Sequence, residues 1–138
     1  MNLKKILLYV WQLPQNLLGQ LLFRWYGRDR LAVESAYRGV RVLYSRKMNG
    51  GISLGSHIVL PYIHSLPHVD NSPAGMTLRH EWGHTRQSLI LGWLYLPFVG
   101  FQSMAHAILH RKACGEGSDY HHFWTERWAD RLGGVERD

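Results

Sequence analysis

A pair of histidines at helical spacing is the feature of this chain that could do chemistry. The stretch "RHEWGH" (79–84) places His80 and His84 four residues apart, with Glu81 directly after the first histidine. On an α-helix four residues turn the chain by about 400°, so the two imidazoles project from nearly the same side, one turn apart. Two imidazoles placed in this way can bind one metal ion. Glu81, rotated by roughly 100° from His80, would lie beside the metal and within reach of a bound water.

A second acidic pair supplies candidates for a third ligand. A catalytic zinc ion usually takes three protein ligands and leaves the fourth position to water, so two histidines are not sufficient. The segment "TERWADRLGG" (125–134) contains Glu126 and Asp130, which are also four residues apart and share one face of a helix. One carboxylate could bind the metal while the other accepts a hydrogen bond from a ligand histidine. We therefore expect the two acids to have separate roles.

The two segments together resemble a known family. "HEWGH" followed by "ERWAD" resembles the zincin metallopeptidases of the gluzincin type, whose pattern is HExxH and a later helix with ExxxD. The chain is also similar to small uncharacterised bacterial proteins with HE-aromatic-GH and a terminal "TE…WAD…GG" segment. The resemblance implies zinc (Zn2+) ligands at His80, His84 and Glu126. It also implies that Glu81 is the general base and that Asp130 supports a ligand histidine.

The resemblance carries expectations about activity and substrate. It implies hydrolysis of a peptide bond in a peptide or protein substrate, with Glu81 taking the proton from a zinc-activated water. It also implies a strand at the upper rim of the cleft that pairs with extended substrate. The stretch "ISLGSHIVL" (52–60) is the natural candidate, because an edge strand can hold a peptide through its backbone groups.

The elements predicted around these residues form one α+β unit over residues 1–138. We expect a small, mainly helical, zincin-like domain with an active-site helix, a β-hairpin or small sheet, and a C-terminal helix that supplies the third ligand. The hairpin is predicted over 37–61, with a turn at "NGG" (49–51) and a single strand over 52–61. The active-site helix should begin at Ser72 or Pro73 and end at Gly92. Gly83, inside it, should permit close approach of a neighbouring backbone.

Three further helical segments are predicted. Residues 7–26 are apolar at helical spacing but are broken near Pro14, which indicates two short pieces. These pieces are most simply core-packing helices, with contact with a membrane surface as the alternative. The other segments are 101–113 and 120–132, the latter ended by Gly133 and Gly134.

Several other residues compete for a functional role. His106 and His110 repeat the spacing of four, but Ala107 stands where the base would be, so a second catalytic site is not expected. His64 and His68 lie in a loop, where histidines are mostly exposed polar residues. One of three residues just before Glu126 could reach the cleft and assist the oxyanion, and the sequence does not choose among them: Tyr120, His121 and His122.

Composition and charge narrow the class of protein. The chain has 138 residues, 46% of them hydrophobic and 19% charged, which is far from the composition of a disordered chain.

Its one cysteine, Cys114, cannot form an internal disulfide, so we expect a reducing, cytoplasmic location. The formal net charge is +6 and the excess lies in residues 1–50. A solvated basic face is the simplest interpretation, and no motif indicates a nucleic-acid partner.

Two uncharged stretches, 6–23 and 87–110, approach the length of a membrane-spanning helix. Both contain polar and helix-breaking residues, so burial in the core or shallow contact with a membrane surface is the better interpretation. The basic, apolar character of residues 1–30 suggests an alternative function. The chain would be a non-catalytic zinc-binding protein that docks on a membrane surface or on a protein partner through these residues.

Overall fold

The computed structural model describes residues 2–65, 72–102, 104–105, 108–109 and 124–137. Within these ranges the fold is α+β, as predicted. The helices are α1 (Leu3–Trp11), α2 (Leu13–Tyr26), α3 (Pro73–Leu91) and α4 (Trp124–Gly133). The strands are β1 (Val33–Tyr37), β2 (Val40–Ser45), β3 (Ile52–Leu54) and β4 (His57–Pro61). Turns of 3-10 helix lie at Tyr62–Ser65 and Gly92–Leu94, and a π-helical turn lies at Leu96–Gly100.

The N-terminal segment forms two helices, so the predicted break near Pro14 is confirmed. Pro14 lies in the first turn of α2, where its missing amide hydrogen leaves no helical hydrogen bond unmade. α2 packs Phe23 against the sheet, whereas α1 has no buried residue. The interpretation of this segment as core-packing helix is therefore right for α2 and wrong for α1.

The strands form one mixed sheet in the order β1-β2-β4-β3. The predicted hairpin across residues 49–51 is wrong, because β2 and β4 run parallel, with Val42 opposite Ile58. The stretch expected as a single strand over 52–61 is two antiparallel strands. Gly55, at a φ of 61°, turns the chain back between β3 and β4, and a glycine adopts this conformation without strain. As a result β3 lies at the edge of the sheet.

The sheet is covered on both faces. Val42 and Ile58 pack against Leu78 of α3, while Val59 points to the opposite face and packs against Phe23 of α2. Successive residues of a strand point to opposite faces, so a strand covered on both sides is apolar along its whole length. This explains the unbroken apolar run in β4. The sheet thus holds α3 in a fixed position relative to β3.

Helix α3 has the ends that the sequence predicts. Ser72 caps it by accepting a hydrogen bond from the backbone N–H of Gly75, and Gly92, at a φ of 55°, ends it. Both histidines of the "HEWGH" segment therefore lie in the interior of a regular helix.

Helices α3 and α4 are in backbone contact at two glycines. A Cβ at Gly83 would overlap the carbonyl oxygen of Ala129, and a Cβ at Gly133 would overlap that of Arg79. The role predicted for Gly83 is confirmed. Because the helices approach this closely, side chains on their facing surfaces can meet directly.

Two predicted segments are only partly covered by the described residues. The helix predicted over 101–113 lies mostly outside them, as do residues 120–123 of the last predicted helix. Among the helices that are described, none combines the length and the apolar character needed to cross a bilayer.

Candidate metal centre

Three side chains from α3 and α4 meet in one cluster. Nε2 of His80 lies 3.0 Å from Oε2 of Glu126, and Nε2 of His84 lies 3.3 Å from the same oxygen. The ligand atoms of these three residues all lie within 4.8 Å of one another, and the three residues are buried. The structure therefore brings together the three residues that the spacing and the resemblance single out.

His80 is oriented by Asp130. Nδ1 of His80 lies 2.6 Å from Oδ1 of Asp130, and the guanidinium of Arg137 donates to both oxygens of that carboxylate. Burial raises the pKa of Asp130, but its hydrogen bonds with His80 and Arg137 outweigh burial and hold the pKa below its usual range. The carboxylate is therefore ionised and can only accept, so Nδ1 of His80 is the donor. Asp130 lies where the resemblance implies.

His84 is oriented by a residue that the sequence analysis missed. Nδ1 of His84 lies 2.7 Å from Oε1 of Gln87, and Nε2 of Gln87 donates to the backbone carbonyl of Thr125 at 2.7 Å. That second bond fixes which end of the amide faces the imidazole, so Nδ1 of His84 donates. Gln87 is three residues after His84, on the same face of α3, and this spacing is the signal that could have identified it.

The donor set fits a cation. With both Nδ1 atoms donating, each imidazole in its neutral form would present the lone pair of its Nε2 toward Oε2 of Glu126. Lone pairs that converge on a carboxylate oxygen repel one another unless a proton or metal ion lies among them. Burial lowers the pKa of His80, yet the hydrogen bonds with Asp130 and Glu126 outweigh it and raise the pKa to about 10. Two imidazoles and a carboxylate are also a donor set that zinc takes in catalytic sites.

Glu81 lies close enough to His80 to act on it electrostatically, but it is not part of the cluster. Its Oε2 accepts a hydrogen bond of 2.9 Å from the hydroxyl of Ser53 in β3, and its side chain packs on Gly51, where a Cβ would overlap it. Glu81 is buried, with 7% of its surface exposed. β3 and α3 are thus connected through Glu81, and Ser53 is a second residue that the sequence analysis missed.

The other candidate residues fall outside the cluster or outside the described ranges. His64 lies on the 3-10 turn after β4 and is not part of the cluster. The remaining candidates lie outside the described residues: His68, His106, His110, Tyr120, His121 and His122.

Comparisons of the chain with protein-family models, with curated proteins and with solved structures give no match. The chemistry of the centre is therefore inferred from its own residues.

Proposed function

We propose that this chain is a zinc-dependent metallopeptidase. The observation that carries the proposal is the convergence of His80, His84 and Glu126 with Glu81 placed beside them. Within the described ranges the cluster offers three protein ligands, which is the number typical of catalytic zinc, whereas structural zinc is usually closed by four. Glu81, close enough to act electrostatically on His80, supports a catalytic site over the alternative of a non-catalytic zinc-binding protein.

Each residue of the proposed site has one role. His80, His84 and Glu126 would hold the zinc ion, and Asp130 and Gln87 would orient the two imidazoles through their Nδ1 atoms. Bound there, zinc would supply a Lewis acid that polarises a carbonyl group and lowers the pKa of water toward 7.

Glu81 would transfer the proton during hydrolysis. It would take a proton from the attacking water as the oxygen adds to the carbonyl carbon, and deliver it to the leaving nitrogen as the C–N bond breaks. The second proton of the water passes from the new carboxylic acid to the amine, so the products are a carboxylate and an ammonium group, and the Glu81 carboxylate is regenerated. Ser53, which donates to Oε2 of Glu81, would hold the carboxylate in its position.

The edge strand supports a peptide as the substrate. Among the described strands β3 pairs only with β4. The hydroxyl of Tyr95 donates to the carbonyl of Ser53, and the backbone groups that remain on the other edge of β3 could pair with an extended chain. Ser53, in the middle of β3, contacts Glu81 directly. A peptide paired with β3 would therefore lie beside the proposed base.

The decisive experiment separates metal binding from cleavage. Purified full-length chain is loaded with one equivalent of zinc and incubated with a mixed peptide library, and cleavage is read by mass spectrometry. The isosteric variant Glu81→Gln should keep its zinc and lose at least about 100-fold in cleavage rate, which is the lower end of what a general base supplies. The control is Glu34→Gln, because Glu34 forms an exposed ion pair with Arg41 away from the cluster.

Two results would contradict the proposal. If Glu81→Gln cleaved as fast as the wild-type chain, Glu81 would not be the base. If the wild-type chain bound zinc but cut no peptide in the library, a non-catalytic zinc site would be the better description.

A further inference from the structure

The N-terminal helices and the turn after α3 adjoin and together expose a large apolar surface. Its exposed members include Leu3, Leu7 and Trp11 of α1, Leu21 and Trp25 of α2, and Trp93 of the 3-10 turn. We call these six residues the N-terminal apolar face. Leu3 is 70% exposed and Leu7 60%, although large apolar side chains normally lie inside a fold.

Side-chain hydrogen bonds join the segments that form this face. The indole N–H of Trp93 donates to the backbone carbonyl of Val10 at 2.9 Å, and that of Trp11 donates to the carbonyl of Leu89 at 2.9 Å. The amide of Asn16 in α2 donates to the carbonyl of Tyr9 in α1. The two uncharged stretches of the sequence thus become neighbours. Since the indole donors are already bonded, these two rings could enter an apolar medium without leaving an N–H group unsatisfied.

Helix α1 has no buried residue, and it is attached to the rest of the chain by these hydrogen bonds and by the packing of the Trp11 ring on Gly92. An isolated helix of this length is only marginally stable in water, and most helical stability in proteins comes from packing of an apolar face. The leucines of α1 do not supply that packing within the described part of the chain. A medium that covers them would stabilise the helix.

The exposed charged residues of α1, of α2 and just after α2 are basic. Lys4, Lys5, Arg24 and Arg28 are exposed on α1, on α2 and just after α2. The one acidic residue among the first 30 is Asp29, which is buried and paired with Arg46. Exposed basic residues together with exposed leucines and tryptophans are the composition of helices that lie in the interface of an anionic bilayer.

The same charges disfavour a second copy of the chain as the occupant. In a two-fold dimer each surface meets itself, so the basic residues of one copy would lie near those of the other without an exposed acid from residues 2–30 to compensate them. We therefore propose that the N-terminal apolar face docks, in the plane of the interface, on the surface of a bilayer that contains anionic lipid.

The test is flotation of the full-length chain with vesicles of phosphatidylcholine alone and of phosphatidylcholine with one-fifth phosphatidylserine. The chain should float with the anionic vesicles, bind the neutral ones more weakly, and be released in part by 1 M salt, which screens surface charge. Binding should be the same with and without EDTA, so failure of the zinc proposal would leave this result unaffected.

Matched variants locate the contact. Leu7→Ser should weaken the partition coefficient about tenfold, because a leucine buried in the interface is lost. Ile63→Ser should not change it, since Ile63 is 74% exposed but lies on the turn after β4. Lys5→Glu should weaken binding to anionic vesicles at least about fivefold, and Lys47→Glu, in the exposed segment after β2, should have little effect. All four positions are exposed, and circular dichroism would verify that each variant folds.

Three outcomes would overturn the proposal. The first is no flotation with either vesicle, and the second is equal loss for Leu7→Ser and Ile63→Ser. The third is that the wild-type chain forms a concentration-dependent dimer, that Leu7→Ser abolishes this dimer, and that vesicles bind neither the wild-type chain nor the variant. The face would then be a protein interface instead.

Discussion

The hydroxyl of Ser53 donates a hydrogen bond of 2.9 Å to Oε2 of Glu81 and so connects the edge strand β3 with helix α3. The two residues are 28 positions apart in the chain. Ser53 is opposite Ile58 in the sheet, and paired residues point to the same face, which here is the face covered by α3. The proposed base is therefore positioned by the strand that would bind substrate.

Removal of this hydroxyl should affect catalysis without affecting metal binding. A hydrogen bond to a charged group is worth about 1.5–3 kcal/mol, so Ser53→Ala should lower the rate of peptide cleavage on the order of tenfold while the zinc content stays the same. Parallel kinetics and metal analysis would measure both. Ser35→Ala, at an exposed position in β1, is the control. Equal loss of zinc and activity in Ser53→Ala would show a structural role instead.

Zinc should stabilise the folded chain through the cluster. A ligand that binds only the native state at 1,000 times its dissociation constant adds about 4 kcal/mol to the free energy of unfolding. Calorimetry should therefore show a melting temperature several degrees higher with zinc than with EDTA. His80→Ala and Glu126→Ala should each abolish the difference, and His64→Ala, outside the cluster, should retain it. An unchanged zinc effect in either cluster variant would exclude this ligand set.

Gln87 should contribute to zinc affinity although it is not a ligand. Gln87→Leu removes the acceptor of His84 Nδ1 and the donor to the Thr125 carbonyl, so the imidazole loses its fixed orientation. Loss of such a partner typically weakens metal binding by about 10–100-fold. Competition with a chelating dye would measure the change. The neighbouring variant Arg86→Ala, at an exposed position, should bind zinc as the wild-type chain does, and similar affinities for both variants would refute the role of Gln87.

The contact between α3 and α4 should depend on Gly83. A methyl group there would overlap the carbonyl oxygen of Ala129, so Gly83→Ala must separate the helices that carry the proposed zinc ligands. We expect a loss of about 1–3 kcal/mol in the free energy of unfolding, measured in urea, together with weaker zinc binding. Gly50→Ala is the control, because a Cβ at Gly50 has open space around it. Equal stability of the two variants would contradict the close approach.

The ion pair of Asp29 with Arg46, outside the cluster, should weaken in acid. The side-chain and backbone hydrogen bonds from Arg46 hold the pKa of Asp29 far below its usual range. A carboxyl group with a lowered pKa in the folded state stabilises the fold above its ordinary pKa of about 4, and this contribution is lost as the pH falls below that value. Asp29→Asn should therefore be less stable than the wild-type chain at pH 7, and the difference should narrow between pH 4 and pH 2. A constant difference across that range would show that charge is not involved.

Local spacing predicted much of this site. The separation of four residues places His80 with His84 and Glu126 with Asp130, because a helix repeats every 3.6 residues. Ser72 and Gly92 marked the ends of α3 for equally local reasons, since a capping hydroxyl and a glycine at positive φ act within one turn. The same spacing would also have identified Gln87, three residues after His84.

The pairing of the strands and the contact of Ser53 with Glu81 could not be predicted from local spacing. The parallel pairing of β2 with β4 and the turn at Gly55 depend on which strands α2 and α3 cover. No short sequence pattern predicts which strands a helix will cover. The contact of Ser53 with Glu81 follows from that arrangement of the sheet.

The sequence by itself determined which residues share a helical face, because helical periodicity depends only on neighbours in the chain. The tertiary structure decided that two such faces meet at Glu126, which oxygen orients each imidazole, and that α1 adjoins the turn at Trp93. These are contacts between residues far apart in the chain, and they form only where packing of the sheet and the glycine contacts of α3 and α4 bring the elements together.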